Sequence, residues 1–240
     1  MGRLTTKQVK LHQDAEKILR DTRKYLPWDD IHFVLENWSP SVVIENNAAF
    51  FTPVSLAYDF AFLAAPSGGM RVVDLGAGIG TLAGTVAHLS HSGDIREMTC
   101  VEYESRYLQI GKRLFPDFHW VFGNMYEEMF IKGKGEYAIS NPPFGLRPPK
   151  SDWMKFHPCT SHIKAIELAI RYCEFGATMI LPQGLSGYDL KEHKYRSTVA
   201  TIEIDKNFPG WTLVPIAKYD HGTFIDTPIA VEVVDVSEHG

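Results

Sequence analysis

Cysteine is scarce in this chain of 240 residues, which contains three cysteines and no Cys-x-x-Cys pair. An odd number of cysteines without that pair argues against a disulfide framework and against a thiolate zinc site. The segment HPCTSH brings His157, Cys159 and His162 together, but their spacing matches no familiar metal site. We therefore expect no metal centre and interpret this segment as a polar loop.

Long apolar runs are also missing. No stretch is apolar for long enough to span a bilayer, and the N-terminus lacks the apolar centre of a secretory signal. We therefore expect a cytoplasmic protein without a membrane partner. Hydrophobic residues still make up 45% of the chain, which is enough for a sizeable core in one α/β domain with a modest extension.

The chain lacks the excess of positive charge that usually accompanies tight binding of nucleic acid, since its formal net charge is −5. The charge is unevenly distributed, however. Residues 1–24 contain seven Lys or Arg and three acids, and residues 144–164 contain four Lys or Arg and one acid. Solvated faces explain such stretches most simply. A nucleic-acid contact is more plausible for the second stretch than for the first, because the second directly follows a Pro-Pro turn.

Apolar spacing at the N-terminus predicts a helix over residues 5–25, which Pro27 ends, and a second short helix over 29–38. We interpret residues 1–45 as a helical extension packed on a main domain over 46–240.

Strand and helix patterns alternate through the main domain. Thr52 and Pro53 resemble a helix start, with Thr52 as the N-cap, and this helix is predicted to run to about Ala65. Strands are predicted over 70–78, 97–104, 118–124, 136–140 and 177–183, and helices over 81–90, 105–115 and 161–175. Such alternation predicts a parallel sheet with helices on both faces. Two last strands without a convincing helix between them predict an antiparallel hairpin at the sheet edge.

The segment VVDLGAGIGTL joins the first of these strands to a helix. Glycine lets a backbone turn sharply against a ligand, and such a strand-to-helix turn is the usual nucleotide-binding position in a doubly wound sheet. Glu102 ends the second strand, where an acid can accept hydrogen bonds from ribose hydroxyls; an ordinary surface glutamate is the alternative. After the third strand, Asn124 can read an adenine edge or simply form a turn, and Met125 can pack on the base.

The segment SNPPF follows the fourth strand. Proline has no backbone N–H and a fixed φ, and it pushes the preceding residue toward extended geometry. Asn141-Pro142-Pro143 is therefore a rigid turn that exposes carbonyl acceptors and almost no donors. It either ends the strand or accepts hydrogen bonds from an amino group, and the glycine loop upstream favours the second interpretation.

Together these motifs resemble the Rossmann-like S-adenosylmethionine-dependent methyltransferases, and within them the enzymes that methylate adenine N6 in DNA. The cofactor loop of that family is matched by residues 74–78, and its catalytic tetrad by residues 141–144, with Asn141 lying 67 positions after Asp74. The segment FFTP, residues 50–53, precedes both motifs, which is the gamma arrangement of the family. No separate target-recognition domain fits in the chain, and DNA enzymes of the family usually carry one.

The resemblance implies an α/β fold, with a mostly parallel seven-stranded sheet and an antiparallel C-terminal hairpin. It implies S-adenosylmethionine as cofactor and nucleic acid as partner, with DNA as the expected polymer; a homodimer or a specificity partner is compatible with it. The implied cofactor-binding residues are Phe51, Thr52, Pro53, Asp74, Gly76, Gly78, Glu102, Asn124 and Met125. The implied catalytic residues are Asn141, Pro142, Pro143 and Phe144.

In this interpretation the Asn141 side-chain carbonyl and the Pro142 backbone carbonyl accept from the target amine, and Phe144 stacks on the base. A base in a duplex must swing out to reach them. Candidate substrate-binding residues in the positive stretch are Arg147, Lys150, Trp153 and Lys155. Trp153, Phe156 and His157 form either a substrate lip or the apolar underside of a loop.

Three alternatives stay open. An RNA amino methyltransferase uses the same tetrad. A protein glutamine methyltransferase usually has Tyr in place of Phe144, so it ranks lower. A module that binds the cofactor without chemistry does not need the intact tetrad.

Overall fold

A computed structural model describes residues 5–39, 51–127, 132–144, 154–156, 160–189, 194–219 and 230–238. Its helices are α1 (Thr6–Leu19), α2 (Trp28–Asn37), α3 (Val54–Ala64), α4 (Thr81–Leu89), α5 (Ser105–Leu114), α6 (Ser161–Tyr172) and α7 (Val199–Asn207). Its strands are β1 (Met70–Leu75), β2 (Ile95–Glu102), β3 (His119–Phe122), β4 (Tyr137–Ser140), β5 (Ala177–Pro182), β6 (Tyr188–Asp189), β7 (Lys194–Tyr195), β8 (Trp211–Tyr219) and β9 (Val231–Glu238).

Seven of these strands form one sheet in the order β3-β2-β1-β4-β5-β9-β8, and β6 pairs with β7 in a small separate ribbon. The five strands from β3 to β5 in this order run parallel, whereas β9 is antiparallel to both β5 and β8. This confirms the predicted Rossmann-like α/β fold, including the antiparallel hairpin at the sheet edge.

Helices cover both faces of the sheet because successive strand residues point to opposite sides. Val72 and Ile139 belong to the core cluster under α1 to α5, whereas Val73 and Ala138, their chain neighbours, belong to the cluster under α6 and α7. Within the part of the chain that the structure describes, no helix is long and apolar enough to cross a membrane.

The first helix is shorter than predicted. α1 ends at Leu19 rather than near residue 25, and Arg113 of α5 donates to the carbonyl oxygens of Leu19 at 3.3 Å and Asp21 at 2.9 Å. These bonds satisfy carbonyls at and just beyond the helix end. α2 begins directly after Pro27, close to the predicted start. The division between residues 1–45 and 46–240 stays a prediction, since it falls within 40–50, outside the described residues.

One expectation about local structure was wrong. Pro53, not Thr52, occupies the N-cap of α3, which has no side-chain cap hydrogen bond. Three elements between β5 and β8, namely β6, β7 and α7, were not predicted from the sequence. The α7 helix has a capping box in which Thr198 accepts from the Thr201 backbone, and it buries Ala200 and Ile204. Burial and capping therefore outweigh the β-branched residues of this segment.

Candidate active site

The sheet order brings the two motifs side by side. Asp74 of β1 pairs with Ile139 of β4, so the glycine loop and the tetrad leave the same edge of the sheet as neighbours. The Ser140 hydroxyl donates to the Leu75 carbonyl oxygen at 2.6 Å and ties the two strand ends together.

A cavity of about 570 Å³ opens at this edge. Among its walls are twelve of the predicted site residues: Phe51, Thr52, Asp74, Gly76, Gly78, Glu102, Asn124, Met125, Asn141, Pro142, Pro143 and Phe144. Residues implied separately for the cofactor and for the reaction thus line one space.

The glycine loop adopts backbone conformations that other residues rarely take. Gly76 and Gly78 have φ values of 76° and 59°. The backbone N–H of Gly76 donates to the Val101 carbonyl oxygen at 3.0 Å, which binds the loop to β2. A Cβ atom at Gly78 would lie 3.6 Å from Phe51 Cε1, and one at Gly76 would lie 3.2 Å from Met125 Sδ. The loop is therefore packed between these two side chains.

Asp74 places a buried acceptor in the cavity wall. Its Oδ2 accepts from the Ala83 N–H at 3.3 Å, whereas Oδ1 has no hydrogen-bond partner among the described residues. Burial raises the pKa of Asp74 to about 8, and the nearby Glu102 charge acts in the same direction. A buried acid with an unused oxygen suits a cationic group of a ligand, because the cation would favour the ionised form of the acid.

Glu102 is not an ordinary surface residue, since only 8% of it is exposed. Its Oε2 accepts from the Gly78 N–H at 2.7 Å, and its Oε1 accepts from the Glu104 N–H at 2.6 Å. Burial raises the pKa of Glu102 to about 6, and these N–H groups oppose that rise. Each carboxylate oxygen keeps a further lone pair that could accept from a ligand hydroxyl. The geometry is therefore compatible with the ribose role, which stays a prediction.

Asn124 and Met125 follow β3 at the cavity wall. The Asn124 side-chain oxygen accepts from the Tyr126 N–H at 3.0 Å, so the turn interpretation applies to this end of the amide. Its NH₂ end carries the donors that an adenine ring nitrogen would accept from.

Asn141 and Phe144 are held by side chains from other elements. The Asn141 Nδ2 donates to Thr52 Oγ1 at 2.9 Å. The Phe144 ring meets His162 of α6 edge to face, with centroids 6.1 Å apart and planes at 76°. Burial lowers the pKa of His162 to about 4, so the imidazole is neutral near pH 7.

Several predicted residues lie elsewhere. Pro53 starts α3 and is not among the cavity-lining residues. Lys155 is also outside the lining, and its ammonium lies 5.4 Å from the centre of the Phe208 ring. Phe156 is fully buried against Phe208, so it belongs to the underside of the loop and not to a lip. The predicted residues Arg147, Lys150, Trp153 and His157 lie outside the described residues.

Sequence reasoning missed the aromatic residues around the cofactor loop. Tyr103 lines the cavity and is 70% exposed, and its position directly after Glu102 was the available signal. Tyr107 also lines it, with its ring centroid 5.0 Å from that of Phe51. Trp38, at the end of α2, packs behind Phe51 at 6.0 Å, and no local pattern marked it.

Over the described part of the chain, no group of three His, Cys, Asp or Glu side chains is arranged to hold a metal ion. The site chemistry available there is that of hydrogen-bond acceptors, a buried carboxylate pair and aromatic rings.

Comparison with other proteins was made by sequence and by structure. No protein-family model and no curated protein sequence matches the chain. Among solved structures, a Listeria monocytogenes protein assigned as a class I S-adenosylmethionine-dependent methyltransferase is similar at TM-score 0.68 and 14% identity, over 94% of this chain and 69% of its own. The chain has the class I methyltransferase fold.

Two further structures share this methyltransferase fold. A Pyrococcus horikoshii protein assigned as an RNA methyltransferase superposes at TM-score 0.54 with 17% identity, over 98% of this chain and 100% of its own. The M protein of the type I restriction enzyme EcoKI superposes at TM-score 0.61 with 16% identity, over 98% of this chain. This chain covers 55% of the M protein's length.

Proposed function

We propose that this protein transfers a methyl group from S-adenosylmethionine to the exocyclic N6 amine of adenine in DNA. The observation that carries the proposal is the single cavity that the glycine loop and the Asn141-Pro142-Pro143-Phe144 tetrad share. A methyl donor and an amine acceptor must meet in line, and one cavity lined by both motifs permits this.

The cofactor half of the cavity fits S-adenosylmethionine. The unused Asp74 oxygen suits the amino group of its methionine part, and the glycine loop lets a ligand lie against the backbone. Glu102 would hold ribose hydroxyls, and Tyr103 and Met125 would flank the adenine. The cofactor supplies an activated methyl group when bound, so the protein needs only to orient the partners.

The target half supplies acceptors and a flat ring. The Asn141 Oδ1 and the Pro142 carbonyl oxygen would accept the two N–H bonds of the amine, which favours a more tetrahedral and more nucleophilic nitrogen. Phe144 would stack on the flipped base. His162 touches Phe144, and its lowered pKa makes it a poor proton acceptor at neutral pH, so we assign it to packing.

DNA is the first candidate polymer because the motif order corresponds to that of adenine-N6 DNA enzymes, and the EcoKI M protein shares the fold. That protein is the M protein of a type I restriction enzyme, so we further propose that a partner adds sequence selectivity to a chain that methylates on its own. RNA is the second candidate. The alignment covers the full length of the Pyrococcus horikoshii protein assigned as an RNA methyltransferase, but only 55% of the length of the M protein.

The test uses the purified full chain with methyl-labelled S-adenosylmethionine and three substrates: plasmid DNA, single-stranded oligonucleotides and total RNA. Digestion to nucleosides followed by mass spectrometry identifies the methylated base. We expect N6-methyldeoxyadenosine. Label confined to RNA adenosine would favour the second candidate, and no label on any nucleic acid would overturn the proposal. For the Asn141 variants described below, the matched control is Asn207→Ala in α7.

A further inference from the structure

Thr52 contacts the side chain whose polarity the reaction depends on. Its hydroxyl oxygen accepts a hydrogen bond from Asn141 Nδ2 at 2.9 Å, across 89 positions of sequence. Thr52 itself is only 8% exposed. The resemblance to methyltransferases implies that Thr52 touches the cofactor, and it says nothing of Asn141.

An asparagine amide has two different ends. One end, Oδ1, accepts hydrogen bonds, and the other, Nδ2, donates them. A target amine offers N–H donors, so only the Oδ1 end can receive it. If the amide turned over by half a rotation, two donors would face each other and the acceptor would be lost. Something must therefore fix which end faces the amine.

We propose that Thr52 is a positioning residue that fixes this choice for Asn141. By accepting from Nδ2, the Thr52 oxygen occupies the donor end of the amide and leaves Oδ1 for the amine. This inference rests on the proposed function for its chemistry, but the contact itself is independent of the polymer that carries the amine.

The hydroxyl proton of Thr52 also bears on which end of the Asn141 amide faces the amine. Thr52 lines the cavity that would hold the cofactor, so its hydroxyl can donate this proton into the cavity. A hydroxyl that donates into the cavity has only its oxygen left for Asn141, and that oxygen can pair with Nδ2 alone.

The backbone under Thr52 is rigid, which suits a positioning role. Pro53 follows directly with φ −55°, and its carbonyl oxygen accepts from the Ala57 N–H at 3.0 Å in the first turn of α3. Ala57 and Phe60 of this helix are fully buried. The hydroxyl is thus held by packed core and not by a loose loop.

The experiment compares Thr52→Val, which has the same shape without a hydroxyl, with Thr52→Ser, which keeps the hydroxyl. We expect Thr52→Val to lower the single-turnover methylation rate by about 30-fold and Thr52→Ser by less than about 3-fold. Affinity for S-adenosylhomocysteine, measured by calorimetry, should change by less than about 3-fold in both. A Thr52→Val variant that loses this affinity and keeps its rate would make Thr52 a cofactor contact and overturn the proposal.

A second background isolates the amide. In Asn141→Asp both side-chain oxygens accept, so there is no polarity left to fix. Adding Thr52→Val to Asn141→Asp should then cost less than about 3-fold. A full 30-fold loss in that background would show that Thr52 acts on something other than the amide, and would overturn the proposal.

A readout without turnover completes the design. The side-chain NH₂ signal of Asn141 in a ¹⁵N–¹H spectrum, identified by its absence in Asn141→Asp, should shift in Thr52→Val and stay in place in Thr52→Ser. An unshifted signal in Thr52→Val would overturn the inference. An unmodified protein that methylates no nucleic acid would overturn the proposed function instead, and the signal would still decide on Thr52.

Discussion

The cavity wall proposed to bind the cofactor, here called the cofactor wall, is formed by Asp74–Gly78 and Glu102. It differs in construction from the target wall, which is formed by Asn141–Phe144. Backbone groups hold the first: Glu102 accepts from two N–H groups, and the glycine loop binds the Val101 carbonyl. Single side-chain contacts hold the second, one from Thr52 and one from His162. The cofactor wall should therefore be sensitive to backbone strain, and the target wall to the loss of individual atoms.

The largest effect is expected on the target wall. Asn141→Ala removes the side-chain acceptor and should lower the methylation rate by about 1,000-fold. Affinity for S-adenosylhomocysteine should stay within about 3-fold, because the cofactor wall does not depend on this amide. Single-turnover rates and calorimetry measure the two. Equal losses of rate and of affinity would show that the two walls depend on each other, which would contradict the difference described above.

The second effect tests backbone strain on the cofactor wall. Gly78→Val forces a β-branched residue into φ 59° and sets its side chain against Phe51, so cofactor affinity should fall by about 100-fold. Gly93→Val is the matched control, since Gly93 also has positive φ but has open space around its Cβ position. Similar affinities in the two variants would remove the special status of the loop.

The third prediction concerns the charge of the cofactor wall. The Asp74 pKa is raised from 3.8 to about 8, so the folded protein retains a proton that the unfolded chain releases. The free energy of unfolding of the ligand-free protein should therefore fall as pH rises from about 4 to about 8, and level off above. Glu102, with its pKa raised to about 6, acts in the same direction below neutral pH.

Asp74→Asn should remove most of this slope, and raise the melting temperature at pH 8 by about 4 °C relative to the unchanged protein. It should also weaken cofactor binding by about 10-fold, because the amide cannot neutralise a cation. Thermal unfolding at pH 5 and pH 8 measures the slope, with the exposed Asp14→Asn as control. An unchanged slope in Asp74→Asn would assign the pH dependence to other groups.

The smallest effect reaches the cofactor wall from the N-terminal helices. Glu16 Oε1 accepts from the Trp38 indole N–H and from Arg106, each at 2.8 Å, and Trp38 packs behind Phe51. Glu16→Ala should weaken cofactor binding by about 3-fold. Asp14→Ala, on the same helix, breaks only an exposed pair with Lys17 and should change nothing measurable. Equal cofactor affinities in both variants would show that the Glu16 contacts do not affect the cavity.

The two walls also differ in how far the sequence predicted them. Asp74, the glycines and Glu102 lie at or just beyond the ends of β1 and β2, so local pattern and strand order suffice to place them together. The sheet followed from the same local signals of alternation and of Gly and Pro punctuation. The α7 helix was missed because its Val, Thr and Ile residues favour strands, whereas its capping box and its tertiary packing favour the helix.

The target wall was predicted in its residues but not in its contacts. The tetrad is marked by its prolines, whereas the Thr52–Asn141 bond joins positions 89 residues apart and leaves no local trace. The same holds for Trp38 and for the packing of His162 on Phe144. Contacts of this kind depend on which elements the completed fold brings together, and no window of sequence contains that information.

The pairing of Asp74 with Ile139 has a consequence for the evolution of such chains. Adjacent strands lie about 4.8 Å apart, so the sheet sets the spacing between the glycine loop and the tetrad, and the chain that connects them does not. The exposed turn at 91–93 could lengthen, or the chain could be opened at Gly93, without moving either group. A circular permutant opened there would carry the tetrad before the glycine loop and keep the same geometry. Motif order in this fold therefore records genetic rearrangement more than chemical need.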